Sequence, residues 1–199
     1  MLGSLIADFA AAIAVVDARR PQWVSTTTGK AYAPGIGPHT ETQTVALVVA
    51  EIEGHSPPTF TSARIGVPYP AMPRQKCDLV VERQDEEWAL EIKMLRFMGD
   101  NGKPNDNILM HILSPYAAHR SALTDTTKLV ESGFSAKKGV VIYGYDYPGW
   151  PMDPAIEAFE LLAAARVRLG DRHTASFDGL VHPVHQRGRV FGWEVLAGL

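Results

Sequence analysis

Two short segments near the middle of the chain alternate apolar and polar residues. Lys76–Glu82 and Trp88–Met94 both follow this pattern, which is typical of β-strands that bury one face. Arg83–Glu87, which lies between them, contains only charged and amide side chains, as expected of a solvated turn. The pattern therefore predicts a β-hairpin over residues 76–94.

The alternation also selects a register for this hairpin. We take the turn to centre on Gln84 and Asp85, which places Asp78 opposite Glu91. The apolar pairs then share one face: Cys77 with Ile92, Leu79 with Leu90, and Val81 with Trp88. A slip of one residue would mix the apolar and polar sets, so the hydrophobic pattern favours this pairing. The polar face carries Asp78 across from Glu91, with Lys93 two residues further along the strand.

Hydrophobic periodicity and the signals at element boundaries predict the other elements of a mixed α/β domain. Helices are expected at Leu2–Arg19, Thr40 to about Glu53, Asn107–Leu113, Tyr116–Ser132 and Pro154 to about Leu169. Further strands are expected at about Phe60–Ile65, Lys138–Tyr145, Ala175–Val184 and Arg189–Leu196. The strand at 138–145 should lie parallel to the second hairpin strand, because the helix at 116–132 provides a crossover connection.

Glu41 is placed by a helix-start signal. Thr40 and Gln43 fit the capping box that begins many helices. Glu41 shares a helix face with the apolar residues that follow it, so it begins on the core-facing side. Its role can be chemical, or it can simply complement the helix dipole at the N-terminus.

Composition narrows the range of functions. The net charge is −3, which argues against an avid non-specific DNA-binding protein. The single cysteine, Cys77, excludes an internal disulfide and suits a reducing cytoplasm. The apolar segment Met1–Val16 is interrupted by Asp8 and is too short for a membrane span, so we expect no membrane association.

The polar face of the hairpin has the chemistry of a divalent-metal site. Two carboxylates directly across from each other repel, and a divalent cation compensates that repulsion. Mg²⁺ and Mn²⁺ take hard oxygen ligands, commonly one or two carboxylates together with water and substrate phosphate. Lys93 beside them could hold a phosphate or help to deprotonate a metal-bound water. On a polar strand face its truncation should cost little stability, about 0.5 kcal/mol.

Asp78, the polar turn and Glu91-Ile92-Lys93 together resemble the PD-(D/E)xK motif of restriction-endonuclease-like nucleases. Cys77 stands where that family usually has proline. The resemblance extends over the order of elements from about Thr40 to about Tyr145. It implies one restriction-endonuclease-like domain over residues 1–199, with a helix in 1–20, the nuclease-like core in 40–145, and a C-terminal helix and strands in 153–199.

The resemblance also implies a Mg²⁺-dependent or Mn²⁺-dependent nuclease that hydrolyses phosphodiesters of nucleic acid, with DNA as the first choice. Asp78, Glu91 and the Ile92 carbonyl would bind the metal, Lys93 would position the attacking water, and Glu41 would be an accessory acid. Substrate phosphate would contact Arg120 and Arg96. A homodimer is expected if both strands of a duplex are cut, whereas nicking needs only one chain.

The sequence leaves other interpretations of function open. The fold could serve as a binding or assembly module with little or no catalysis, or the same carboxylates could hydrolyse another phosphate ester. Asp125 and Lys128 have the spacing of a surface ion pair on a helix. His182 and His185 could bind zinc, but no cysteine or histidine pair elsewhere completes a set of four ligands.

Overall fold

The computed structural model describes residues 1–55, 59–83 and 85–196. Its helices are α1 (Leu2–Ala18), α2 (Glu41–Glu53), α3 (Met110–Leu113), α4 (Ala122–Glu131) and α5 (Asp153–Ala164), with a 3₁₀ turn at Ala117–His119. Its strands are β1 (Ser62–Pro68), β2 (Lys76–Arg83), β3 (Glu86–Leu95), β4 (Lys137–Tyr145), β5 (Arg168–Leu169), β6 (His173–Phe177) and β7 (Gly188–Leu196).

The strands form one mixed sheet. Its order is β1-β2-β3-β4-β7-β5, and β6 also pairs with β7. Only β3 and β4 are parallel among these pairs, and the chain between them passes through α3 and α4. This arrangement confirms the predicted mixed α/β fold and the parallel crossover.

The hairpin has the predicted register where β2 and β3 pair, from Leu79 with Leu90 to Arg83 with Glu86. Leu79 pairs with Leu90, and Val81 pairs with Trp88, in an antiparallel ladder between β2 and β3. Gln84, on which the turn was centred, lies outside the described residues. Its neighbour Asp85 has a φ of 63°, a left-handed conformation that suits a tight polar turn.

Helices cover both faces of the sheet. α1 packs on α2, β6 and β7, whereas α4 packs on β3 and β4 from the other side. The apolar hairpin face, including Leu90 and Ile92, meets Phe9 of α1 and Val49 of α2. Gly192 on β7 allows a close approach, because a Cβ there would lie 2.4 Å from Ile6 Cδ1. The opposite face of the hairpin therefore lies against α4, the N-terminus of α2 and the polar residues between them.

Several elements are shorter than predicted, for local reasons. The helix expected at 116–132 is interrupted where Arg120 adopts a left-handed φ of 47°. Ser121 then caps α4, because its Oγ accepts a hydrogen bond from Thr124 N at 3.1 Å. α5 ends at Ala164, and the two residues of β5 instead pair with the end of β7. The strand expected at 175–184 ends at Phe177, so that His182 and His185 lie in the loop that follows, where both side chains are buried.

Among the described residues, no helix has both the length and the apolar character that crossing a membrane requires.

The start of α2 gives the first testable prediction. Thr40 and Gln43 form the complete capping box, which holds Glu41 in the first helical turn. Thr40→Ala should lower the free energy of unfolding by about 1 kcal/mol, because the amide of Gln43 loses its acceptor. Chemical denaturation measures this change. Thr42→Ala is the matched control, since Thr42 is exposed within the same turn and alanine favours helix there. Equal stability of the two variants would contradict a stabilising cap.

Candidate functional site

A cleft of about 700 Å³ opens between the polar hairpin face, the start of α2 and α4. Every charged side chain that the sequence singled out for chemistry or phosphate binding lines it. The acidic and basic lining residues are Glu41, Lys76, Asp78, Glu91, Lys93, Arg96, Asp106, His111, His119, Arg120, Asp125 and Lys128.

Lys93 lies among the carboxylates of this cleft. Its Nζ is 2.9 Å from Asp125 Oδ2, 3.7 Å from Glu41 Oε1 and 3.8 Å from Asp78 Oδ2. Burial lowers the pKa of Lys93, but the surrounding carboxylates raise it more, and the net pKa is well above its usual value. The side chain is only 12% exposed, so Lys93 is not the solvent-facing lysine that the strand pattern suggested. Its removal would leave several carboxylates without compensation.

Glu91 is the most deeply buried of the expected metal ligands, with a side chain that is 2% exposed. Lys128 Nζ lies 3.0 Å from its Oε1, and the Tyr69 hydroxyl donates a hydrogen bond to the same oxygen. Burial raises the pKa of Glu91 to about 7, and repulsion from Asp125 adds to this effect. A carboxyl group with such a pKa is partly protonated near neutral pH.

Backbone amides orient the two more exposed carboxylates. Asp78 Oδ2 accepts from Ile92 N at 2.8 Å, and Glu41 Oε2 accepts from Met94 N at 2.7 Å. Burial also raises the pKa of both acids, and Lys93 offsets part of that shift. The side chains remain about one-third exposed, at 35% for Asp78 and 31% for Glu41. Glu41 therefore lies beside Asp78 at the cleft, as predicted from the capping box.

The Asp125 and Lys128 pair was expected on the surface, and that expectation is wrong. The ion pair exists, with Lys128 Nζ 2.7 Å from Asp125 Oδ1, but the Asp125 side chain is only 2% exposed. α4 turns this residue toward the sheet together with its buried neighbours Ala122 and Leu129. Those apolar residues lie three before and four after Asp125, a helical spacing that could have indicated its burial.

Two arginines expected to contact substrate phosphate lie at the rim. Arg96 is held in place, because its Nη1 donates to the Gly37 carbonyl at 2.6 Å and lies 3.7 Å from Asp100. Arg120 is exposed and lies where the chain turns into α4. Of the two, Arg120 is the freer to meet a substrate anion.

The charges of the cleft suit a divalent cation. Four carboxylates (Glu41, Asp78, Glu91 and Asp125) surround two ammonium groups (Lys93 and Lys128), so the ionised cluster has a surplus of two negative charges. Their oxygens are the ligands that Mg²⁺ and Mn²⁺ prefer. The Ile92 carbonyl, the other expected ligand, accepts from Lys93 Nζ at 3.2 Å.

Among the described residues, however, no three carboxylates of the cleft have their oxygens within 4.8 Å of one another. In the described part of the chain, only one group of three or more acidic, histidine or cysteine side chains has its ligand atoms within 4.8 Å of one another. That group consists of Asp100, His182 and His185 and lies outside the lining of the cleft. Sequence reasoning considered the two histidines but missed Asp100, which comes from a distant loop.

Comparisons with protein-family models, with curated proteins and with solved structures found no match to this chain.

The raised pKa of Glu91 gives a prediction about stability and pH. Because the pKa is higher in the folded protein than in the unfolded chain, the stabilising contribution is fully present below about pH 4.5 and is lost as the pH rises through about 7. Glu91→Gln cannot ionise. Its unfolding free energy should therefore fall less than that of the wild type between pH 4.5 and 7, by on the order of 2–3 kcal/mol.

Urea denaturation across this pH range, without divalent metal, measures the difference. Glu87→Gln is the control, because Glu87 lies on the same strand but is far more exposed, at 39% of its side chain. Parallel pH profiles for the wild type and Glu91→Gln would contradict the assignment of the raised pKa to Glu91.

Proposed function

We propose that this protein is a Mg²⁺-dependent or Mn²⁺-dependent nuclease of the restriction-endonuclease-like type. It hydrolyses phosphodiester bonds of nucleic acid, with DNA as the expected substrate. One observation carries the proposal: the cleft brings Glu41, Asp78, Glu91 and Lys93 together on the polar face of the hairpin. This grouping supports the proposal, because the residues of the motif lie together in space as well as in the sequence.

Asp78 and Glu91 would hold the metal, with Glu41 as an accessory acid. A bound divalent ion would polarise a phosphoryl oxygen and make water a better nucleophile. The surplus of negative charge supports this assignment, because a cation would stabilise the ionised forms of Glu41, Asp78 and Glu91, whose pKa values burial raises.

Lys93 acts through its charge rather than as a base. Because its neighbours raise its pKa well above the usual value, it stays protonated at neutral pH and cannot accept a proton. A fixed ammonium beside Asp78 can instead donate a hydrogen bond to the attacking water or to the phosphate as negative charge develops. This refines the expectation that Lys93 helps to deprotonate water.

The rim of the cleft supports a polyanionic substrate. Lys76, Arg96 and Arg120 line the same opening as the acids, so phosphates on either side of the scissile bond have cationic partners. We place the enzyme in the cytoplasm. Its only cysteine, Cys77, is buried as a free thiol, and burial raises the pKa of that thiol to about 12.

Asp78→Asn tests the metal site. Titration calorimetry with Mn²⁺ should show binding to the wild type, and the substitution should remove most of it because an anionic ligand is lost. Asp85→Asn is the matched control, because Asp85 is an exposed carboxylate in the turn of the same hairpin. The metal assignment fails if Asp78→Asn binds Mn²⁺ as tightly as the wild type does.

Lys93→Ala tests the catalytic role. Cleavage of plasmid and single-stranded DNA with Mg²⁺ or Mn²⁺ should fall by about a hundred- to a thousandfold, as for the loss of one well-placed donor. Because Lys93 compensates Glu41, Asp78 and Asp125, the variant should also be less stable than a surface truncation, by on the order of 3 kcal/mol.

Lys93→Arg serves as the control for this experiment, since it keeps the charge and should retain more of the stability while altering the donor geometry. Circular dichroism checks that each variant is folded at the assay temperature. Equal cleavage by the wild type and Lys93→Ala would exclude the proposed mechanism. Metal binding without cleavage in the wild type would instead favour a binding or assembly module.

A further inference from the structure

A second cluster of metal-ligating side chains lies away from the acidic cleft. Asp100 comes from the loop between β3 and α3, and His182 and His185 come from the loop between β6 and β7. One ligand atom from each of the three residues lies within 4.8 Å of the other two. Both histidines are fully buried, and the Asp100 side chain is 19% exposed.

We propose that Asp100, His182 and His185 bind one divalent transition-metal ion, with Zn²⁺ as the preferred metal. Two imidazoles and one carboxylate provide the mixed nitrogen and oxygen ligands that zinc takes, and three protein ligands leave a coordination position for water. This inference does not depend on the nuclease proposal, because none of the three residues lines the acidic cleft.

An independent observation at His182 supports the binding of a metal ion. Its Nδ1 accepts from the backbone amides of Val184 and His185, at 3.2 and 3.3 Å. Its Nε2 is buried and has no hydrogen-bond partner within the described residues. A buried polar atom without a partner is costly, and a metal ion would give this nitrogen a ligand role. When Nε2 binds a metal, the ring proton lies on Nδ1. Nδ1 then no longer accepts from the two backbone amides, whose hydrogen bonds to it are already long.

The surroundings of His185 suit metal binding as well. Its Nε2 lies 3.0 Å from Asp100 Oδ1, and its Nδ1 lies 2.7 Å from the Tyr147 hydroxyl. When Nε2 binds a metal, Nδ1 carries the ring proton and can donate it to the Tyr147 oxygen. Such a hydrogen bond from the second ring nitrogen is the usual support for a metal-bound histidine. Neither ring change releases a proton, so the site loads without a net change in protonation.

The loop that carries the histidines is held rigidly. The buried Asp17 at the end of α1 accepts from Val181 N at 2.5 Å and from Ile36 N at 2.8 Å. The rings of His182 and His185 stack with centroids 4.6 Å apart. Arg96, 3.7 Å from Asp100 Oδ1, opposes a cation, but its Nη1 is also bonded to the Gly37 carbonyl. The ligands are therefore largely positioned before any ion binds.

Zinc binding to metal-free protein, measured by equilibrium dialysis with elemental analysis, tests the proposal. The wild type should bind one equivalent of Zn²⁺ tightly, and Co²⁺ at the same site should give the visible absorption of a four-coordinate or five-coordinate ion. Asp100→Asn should weaken Zn²⁺ binding by at least about tenfold and His182→Gln by a similar factor. In thermal unfolding, Zn²⁺ should raise the Tm of the wild type by more than it raises that of Asp100→Asn.

Two controls separate this site from others. His55→Ala removes a more exposed histidine just beyond the C-terminal end of α2, and it should bind Zn²⁺ like the wild type. Asp78→Asn, which disables the acidic cleft, should also keep its Zn²⁺ equivalent. The proposal is overturned if Asp100→Asn retains full Zn²⁺ affinity, or if the Zn²⁺ is lost in Asp78→Asn instead. Asp100→Asn is nearly isosteric and partly exposed, so it keeps the test decisive even if a histidine variant does not fold.

Discussion

The close packing of like charges on one face of the hairpin is the constraint on which the rest of the cleft depends. Carboxylates brought together in a partly buried place repel, and burial adds a cost for each ionised group. The protein meets this cost with Lys93 and Lys128, and with backbone amides that bind Asp78 and Glu41. The part of the burial and repulsion cost that these groups do not offset raises the pKa of Glu91. A cluster of titratable groups in this condition marks the cleft as a candidate functional site.

The sequence predicted those parts of the site that depend on local pattern. A strand that buries one face cannot slip by one residue without mixing its apolar and polar side chains, and the position of the polar turn fixes the remaining choice. The pairing of β2 with β3 therefore followed from residues 76–94 alone. The placement of Glu41 followed in the same way, because a capping box fixes where a helix begins and therefore which way its first residues face. Both inferences rest on interactions between near neighbours in the chain.

The contacts that complete the cleft are non-local, and pattern alone did not reveal them. Tyr69 and Lys128 both reach Glu91, but they come from the segment before β2 and from α4. The prediction of one continuous helix at 116–132 was a separate error. A continuous helix would have carried Arg120 in its interior, whereas the actual break exposes Arg120 and lets Ser121 begin α4 with Asp125 turned inward. Apolar periodicity does not distinguish the two arrangements, and the Ser121 cap fixes where α4 begins.

Ligand chemistry separates the two candidate metal sites. The four carboxylates of the cleft offer oxygen ligands, which suit hard ions such as Mg²⁺ and Mn²⁺. The Asp100, His182 and His185 cluster offers two imidazole nitrogens, a ligand type that suits zinc rather than magnesium. Arg96 joins the two places, because it lines the cleft and also lies beside Asp100. The two places therefore differ in the ligand atoms that they offer, although the Arg96 side chain lies beside both.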